Sequence, residues 1–222
     1  TEVVRHFEQY RFDLAANLLY EFTWNEYCDW YLELSKPILN KDSSEAAKRG
    51  TRRTLVRVLE ALLRLMHPVM PFITEEAWQV VAPLAGKHGD TIMTQAYPIA
   101  DNDKLDAEAE AELDWVKQFI MGVRRIRSEM DIAPSKALPV LLSKVSTQDQ
   151  AWLDNNRLFL MTLAKLESIQ VLEDENQAPE SAVSLVGEMN ILIPMAGLID
   201  KDAELARLKK EIDRLQNEQS RL

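Results

Sequence analysis

The sequence predicts a mainly α-helical protein, in which a helical bundle is followed by a small α+β module and the start of a coiled-coil arm. Through the first 130 residues, apolar side chains recur every three or four positions, which is the spacing of amphipathic helices. Apolar runs of strand length follow after residue 137. The final residues carry apolar side chains at heptad spacing. These three patterns place the bundle first, the mixed module second and the arm last.

The first complete helix is predicted to begin at Asp13, whose carboxylate can cap free backbone amides, and to run to about Ser35. Apolar residues at helical spacing lie between them. Lys36-Pro37 is predicted to close this helix, because a proline lacks the N–H that a helix interior requires.

A second helix is predicted to start at Ser43 or Ser44 and to end near Met66. The stretch that follows, HPVMPFITEEAW, contains Pro68 and Pro71. Each proline lacks an N–H and disfavours the α conformation of the residue before it. The sequence therefore predicts a corner between two helices directly after Met66.

The same stretch predicts how the third helix begins. Thr74 can cap it, so that Glu75 and Glu76 lie at the positive end of the helix dipole. Phe72, just before the cap, can pack back onto the first turn. This third helix is expected to end around residues 83–89, where proline and glycine occur.

A loop at residues 87–103 separates the helical pattern from the mixed one, and we predict a domain boundary there. The predicted domains are the bundle at 1–98, with its first helix truncated, the α+β module at 99–197 and the start of the arm at 198–222. Within the module, helices are expected at about 105–130 and 149–165. Strands are expected at 138–142, 169–172, 183–186 and 190–193, with Gly187-Glu188 as a tight hairpin turn.

Composition narrows the class of protein. The single Cys28 excludes an internal disulfide, and the scattered histidines His6, His67 and His88 give no metal-ligand spacing, so no metal site is predicted. No apolar run approaches the roughly 20 residues needed to span a bilayer, and the first residues do not resemble a signal peptide. These features favour a cytoplasmic protein without a membrane partner.

The net charge of -10 and the pI near 4.9 are unusual for a nucleic-acid binder, because phosphate contacts require clustered Lys and Arg. The charge is segregated, however. Residues 41–66 carry seven basic and three acidic groups, a balance of 7 - 3 = +4, whereas residues 167–190 carry six acidic groups and no basic ones. One basic face on an acidic protein suits the binding of one RNA in one orientation.

Three segments resemble known sequences. HPVMPFITEEAW resembles the helix corner in the anticodon-binding bundle of the class I aminoacyl-tRNA synthetases for branched aliphatic amino acids and methionine. FTWNEYCDWYLELSKPIL and VRRIRSEMDIAPSKALPVLL resemble segments of the bacterial valyl-tRNA synthetases, in the same order and at compatible spacing. Together these three segments span most of the chain. The chain therefore resembles the carboxy-terminal, anticodon-binding region of the bacterial valyl-tRNA synthetases.

The resemblance implies a function and a set of partners. The whole enzyme would be a monomer that joins valine to tRNA(Val) with ATP and Mg²⁺, and this region would bind the anticodon arm beside the catalytic and editing domains. The heptads would form the first limb of a helical-hairpin arm. The HIGH and KMSKS signatures of the catalytic domain do not occur here, and neither does a catalytic constellation, so no catalytic residue is predicted.

Two other interpretations stay open. The isoleucyl, leucyl and methionyl enzymes have a similar corner, although the α+β module and the heptads after Tyr97 favour the valyl enzyme. A helical protein–protein interaction module is an alternative of another class, for which an acidic surface and heptads are natural.

The main candidates for RNA contact are arginines of the second predicted helix. Arg49, Arg53 and Arg57 are spaced i, i+4, i+8 and are expected on one helix face, with Arg52 beside them. Guanidiniums can hold phosphates and stack on unpaired bases. The alternative is a solvated face whose arginines pair with acidic neighbours.

Further candidates lie elsewhere in the chain. Lys87 and His88 follow the third helix, and Arg124 and Arg127 belong to a basic cluster near the end of the helix at 105–130. Cations are also favoured at a helix C-terminus for structural reasons alone. A group of aromatic residues can stack on bases, although packing in the bundle core is the favoured interpretation. The members of this group are Trp24, Tyr27, Trp30 and Tyr31.

Overall fold

The computed structural model describes residues 1–40, 43–174 and 177–196, together with Ile212. It is mainly helical with a small mixed sheet, which confirms the predicted fold class. The chain folds into two compact units, Thr1–Asp106 and Ala107–Leu222. The predicted domain limits at residues 98 and 197 stay predictions. The heptads of the predicted arm, at 205–222, lie outside the described residues apart from Ile212.

The first unit is built from α-helices joined by short connections. A π-helical segment, Phe22–Leu32, links two of these helices without a break. Short 3-10 turns occur at Ile92–Thr94 and Asn102–Lys104. The helices are α1 (Glu2–Glu8), α2 (Phe12–Glu21), α3 (Glu33–Asn40), α4 (Glu45–Met66) and α5 (Pro71–Leu84).

Proline does not close the first long helix, contrary to the prediction. Pro37 lies inside α3, and the helical path continues to Asn40. In an α-helix, the N–H that Pro37 lacks would donate to the carbonyl of Glu33. The hydroxyl of Ser35 donates to the adjacent carbonyl, that of Leu32, at 2.8 Å. A side-chain donor thus satisfies a backbone acceptor next to the missing bond, and the helix passes through the proline.

The start of α2 also differs from the prediction. Arg11 occupies the N-cap position, no side chain caps the helix, and Asp13 lies in the first turn. The Arg11 guanidinium donates to both carboxylate oxygens of Asp13, at 3.0 and 2.7 Å. Mainly through this hydrogen bond, Arg11 lowers the pKa of Asp13 to about 2. The carboxylate that was expected to cap the backbone is instead bound by its neighbour.

The corner forms where it was predicted, but the next helix starts four residues earlier. α4 ends at Met66, whereas α5 begins at Pro71, not after Thr74. Proline suits the first position of a helix because its missing N–H would have no partner there. Phe72 is 90% exposed, so the predicted packing of Phe72 on the first turn is wrong.

Thr74 takes a different part in the corner. Its hydroxyl donates to the carbonyl of Met70 at 2.7 Å and lies 2.8 Å from Nδ1 of His67. Thr74 is only 1% exposed. The threonine therefore ties the first turn of α5 to the end of α4 from inside the protein.

A buried carboxylate of α4, which forms an ion pair within that helix, joins α4 to α5. Arg64 donates to both carboxylate oxygens of Glu60, at 2.7 and 2.8 Å, and the indole N–H of Trp78 donates to the same carboxylate at 3.0 Å. Burial raises the pKa of Glu60, but the bonds from Arg64 and Trp78 more than offset this, so its pKa lies below the ordinary value. The carboxylate thus stays ionised beside the apolar cluster of this unit, which contains Leu63, Trp78, Ala82 and Ile92.

A glycine closes α5. Gly86 has a φ of +70°, its N–H donates to the carbonyl of Pro83, and the N–H of Lys87 donates to that of Ala82 at 2.8 Å. These two bonds form a Schellman motif, which needs a residue in the left-handed region. The helix therefore ends at a defined point, and Lys87 is the first residue beyond the turn.

The second unit is a four-stranded mixed sheet with two helices. The sheet order is β2-β1-β4-β3, with β1 parallel to β2, and β4 antiparallel to both β1 and β3. Gly187, with φ +58°, lies in the predicted two-residue turn between β3 and β4. All four predicted strands and both predicted helices are confirmed. Their bounds are α6 (Ala107–Glu129), β1 (Leu138–Ser143), α7 (Thr147–Leu163), β2 (Leu166–Val171), β3 (Ser181–Val186) and β4 (Met189–Pro194).

The core of the second unit lies between α6 and the sheet. Val116, Phe119, Ile120 and Val123 of α6 are fully buried. Gly122 brings α6 close to β3, because a Cβ at this position would lie 2.8 Å from Oγ of Ser184. The sheet thus holds α6 by its apolar face and leaves the opposite face of the helix exposed.

Candidate nucleic-acid interface

The basic half of α4 is a capped, solvent-facing helix. Ser44 is its N-cap, and its hydroxyl accepts the N–H of Ala47 at 3.2 Å, which confirms the prediction that a serine starts this helix. All four of the predicted arginines on α4 are exposed, and within the described residues none of them forms an ion pair. The alternative interpretation predicted that these arginines pair with acidic neighbours. No such pair forms among the described residues. The four arginines are Arg49, Arg52, Arg53 and Arg57.

Three of these arginines line one groove, which we call the arginine groove. It has a volume of about 560 Å³, and its lining includes the exposed end of α5. Leu84, the last residue of α5, is 72% exposed at this position. The residues that line the groove are Glu45, Arg49, Arg52, Arg53, Val56 and Leu84.

The fourth arginine faces elsewhere, which corrects the prediction of a single stripe. Arg57 lines a separate groove of about 440 Å³ together with Phe22 and Lys104. The reason is the pitch of the helix, since eight residues at about 100° each leave Arg57 turned by about 80° from Arg49. Lys104 is a basic residue that the sequence interpretation missed, because it lies in a loop far from α4 in the chain.

The loop after α5 carries the next two candidates. Lys87 and His88 are both exposed. Neither residue lines the arginine groove, although they follow Leu84, which does, by three and four residues. The charge of Lys87 acts instead on Glu60, where it helps to lower the pKa of that carboxylate.

Of the two candidates in the second unit, one is a surface residue and the other is not. Arg124 is exposed on α6, whereas Arg127 is only 8% exposed. The Arg127 guanidinium donates to four backbone carbonyls, at distances between 2.7 and 3.4 Å, and burial lowers its pKa. The acceptors are the carbonyls of Ala133, Lys136, Ala164 and Lys165.

The assignment of Arg127 as an RNA contact is therefore corrected. Its donors join the end of α6 to the connections that precede β1 and β2, so a phosphate has no exposed edge to approach. Sequence spacing could not separate it from Arg124, because burial depends on where the sheet packs. Arg127 is a structural residue of the second unit.

Replacing Arg127 with lysine is expected to destabilise the second unit by about 2 to 3 kcal/mol, since an ammonium keeps the charge but cannot reach four divergent carbonyls. Urea denaturation followed by circular dichroism measures this. The control is Arg125→Lys on the exposed side of α6, which should change stability little. If Arg127→Lys instead bound RNA more weakly and kept its stability, Arg127 would be an RNA contact after all.

The aromatic group splits between core and surface. Tyr27 is 7% exposed and its hydroxyl donates to the carbonyl of Leu55 at 3.0 Å, so the core interpretation holds for this residue. Trp24 is 55% exposed and lies parallel to Tyr20. For Trp24 the core interpretation is wrong, because the π-helical segment turns it outward, toward an apolar groove that ends at Met66 and Met70.

Other classes of site are not seen in the part of the chain that the structure describes. There, no group of three His, Cys, Asp or Glu side chains is placed to hold a metal ion. None of the described helices is long and apolar enough to cross a bilayer.

Comparison with known families places the chain. A family model described as the anticodon-binding domain of tRNA ligase matches residues 1–142. This range includes the whole helical unit, α6 and all but the last residue of β1, and so more than half of the 222 residues. The arginine groove lies inside the matched range.

Proposed function

The chain belongs to the anticodon-binding domains of the class I tRNA ligases, and from this we propose that its helical unit binds the anticodon arm of valine tRNA. The observation that carries the proposal is the arginine groove, where three exposed guanidiniums without described acidic partners lie together on an otherwise acidic protein. Such a patch attracts one polyanion to one face.

The choice of valine among the amino acids rests on sequence. The segments FTWNEYCDWYLELSKPIL and VRRIRSEMDIAPSKALPVLL resemble the valyl enzymes, and the first contains the π-helical segment and all but the last residue of α3. The α+β unit after Tyr97 supports the same choice. The alternatives are the corresponding regions of the isoleucyl, leucyl and methionyl enzymes.

The proposed role is to position the RNA. Binding energy gathered at the anticodon arm orients the distant acceptor end for reaction, and the chemistry itself takes place in another domain. tRNA ligases use ATP. We propose that ATP and Mg²⁺ act in the catalytic domain of a monomeric, cytoplasmic enzyme that also has an editing domain, and that this chain contributes recognition.

The proposal predicts selective and salt-dependent binding of RNA. The 222-residue chain should bind valine tRNA roughly tenfold or more tightly than isoleucine, leucine or methionine tRNA, a difference of about 1.4 kcal/mol or more. Filter binding with transcripts of the four tRNAs, repeated across a salt titration, measures both the preference and its electrostatic part.

The outcomes separate the alternatives. Preference for another of the four tRNAs would keep the family and change the amino acid. Equal, weak binding of all four would favour a helical protein–protein interaction module, for which the exposed apolar groove beside Trp24 offers a surface.

A further inference from the structure

We propose that the arginine groove is a subsite for one unpaired nucleotide, in which the arginines hold the phosphate and Val56 and Leu84 support the base. The inference rests on the proposed function, since it names the part of the RNA that the groove takes. It assigns a role to Leu84, a residue without charge and far from α4 in the sequence.

The apolar residues are the first line of argument. Attraction of a phosphate backbone needs cations alone. Here, however, the guanidiniums share their groove with two aliphatic side chains, one of which is Leu84, 72% exposed at the end of α5. A water-exposed leucine beside three arginines gives a flat base an apolar contact on one face, while a guanidinium can stack on the other.

The acidic residue is the second line. Glu45 lines the same groove, and its carboxylate lies 3.4 Å from Nζ of Lys48. A carboxylate repels phosphate and accepts hydrogen bonds only. It suits the edge of a base, where exocyclic amines and ring N–H groups are donors. The groove thus offers groups for each part of a nucleotide.

The nucleotide must be unpaired for these contacts to form. In an RNA duplex the faces of a base are stacked, its edge is paired, and the major groove is too narrow for side chains. A groove of about 560 Å³ with an apolar side is therefore suited to a base turned out of a loop. A duplex would contact the arginines through its phosphates but would offer Leu84 no unstacked base.

The test combines a protein change with an RNA change. Leu84→Ser in the full 222-residue chain should weaken binding of a valine anticodon stem-loop about three- to tenfold, in proportion to a lost base contact. Binding of the same stem as a blunt duplex, and the salt dependence of binding, should not change. Val80→Ser is the matched control, because Val80 is 69% exposed on the same helix and does not line the groove.

Stem-loops with a single abasic nucleotide, moved along the loop, identify the base. One abasic position should weaken binding to the unmodified protein about as much as Leu84→Ser does, with no further loss when the two are combined. Leu84→Phe should retain the affinity for the intact loop, which would show that the apolar surface and not the leucine itself is needed.

The results that would contradict this inference differ from those that would contradict the proposed function. If Leu84→Ser and Val80→Ser both bind like the unmodified protein while alanine at Arg49, Arg52 and Arg53 weakens binding, the groove holds phosphate only. The inference is then wrong and the proposed function stands. Losses that add at every abasic position also overturn it. If the unmodified chain does not prefer the stem-loop to the duplex, the proposed function fails and the inference fails with it.

Discussion

Replacing Arg49, Arg52 and Arg53 together with alanine is expected to weaken the binding of valine tRNA about a hundredfold at low salt. Each guanidinium is exposed, free of described ion pairs and part of one groove. Hydrogen bonds to charged groups contribute about 1.5 to 3 kcal/mol each, and solvent exposure places these contacts at or below the low end of that range. The slope of log K against log salt should fall by about two to three, since about three released counterions are lost.

The control for this variant removes the same charge elsewhere. Arg5, Arg11 and Lys36 are exposed cations of the same unit, each in an ion pair with a near neighbour in sequence. Their joint replacement with alanine also removes three positive charges, yet should leave the affinity nearly unchanged. Equal losses from the two triple variants would show that only net charge matters and would remove the groove from the binding site.

Replacing Glu60 with alanine is expected to destabilise the helical unit by about 2 to 4 kcal/mol. Loss of the carboxylate leaves the Arg64 guanidinium without its buried partner and the Trp78 indole N–H without an acceptor. The upper end of the range for a broken buried pair does not apply, because the Arg64 side chain is 17% exposed and also donates to the carbonyl of Ala96. Urea denaturation measures the loss, and amide hydrogen exchange in α4 and α5 assigns it to this unit.

The effect of this substitution should depend on pH. The pKa of Glu60 in the folded protein lies below the ordinary 4.5, so the ionised carboxylate stabilises the fold above that pH. This stabilisation is lost as the pH falls through the folded value, and the gap between the unmodified protein and Glu60→Ala should then close. Glu76→Ala, at an exposed position of α5, is the control. An equal loss at Glu76 would contradict a specific role for the buried pair.

Comparison of α3 and α5 with their predictions shows where local rules were sufficient. Met66 was predicted as the end of α4 and Ser44 as a possible start, because a proline-containing stretch and a capping hydroxyl act within a few residues. The same rules placed Pro37 outside a helix and Thr74 at a helix start, and both placements were wrong. For α5, Pro71 at the first position met the requirement of the backbone. For α3, the Ser35 hydroxyl donates to a carbonyl next to the bond that Pro37 cannot form.

The candidate site shows a similar division. Exposed arginines on α4 were predicted from their spacing and from the local charge balance. The separation of Arg57 followed from helix pitch, and the burial of Arg127 followed from the packing of α6 on the sheet. Leu84 joins the arginine groove only because the corner folds α5 back beside α4. Spacing along one helix carries no information about a residue that reaches the site from another helix.

For this protein, the sequence by itself determined the helical class, the corner after Met66 and the strands of the second unit, because periodicity, capping and proline chemistry act over a few residues. It also indicated the family, through the resemblance of segments to known sequences. Only the tertiary structure decided which charged groups are available. It buried Glu60 against Trp78 of the next helix, buried Arg127 against the carbonyls before β1 and β2, and left Arg49, Arg52 and Arg53 beside an exposed leucine. Availability depends on desolvation and on contacts between elements, and neither is encoded in the spacing of residues along a single helix.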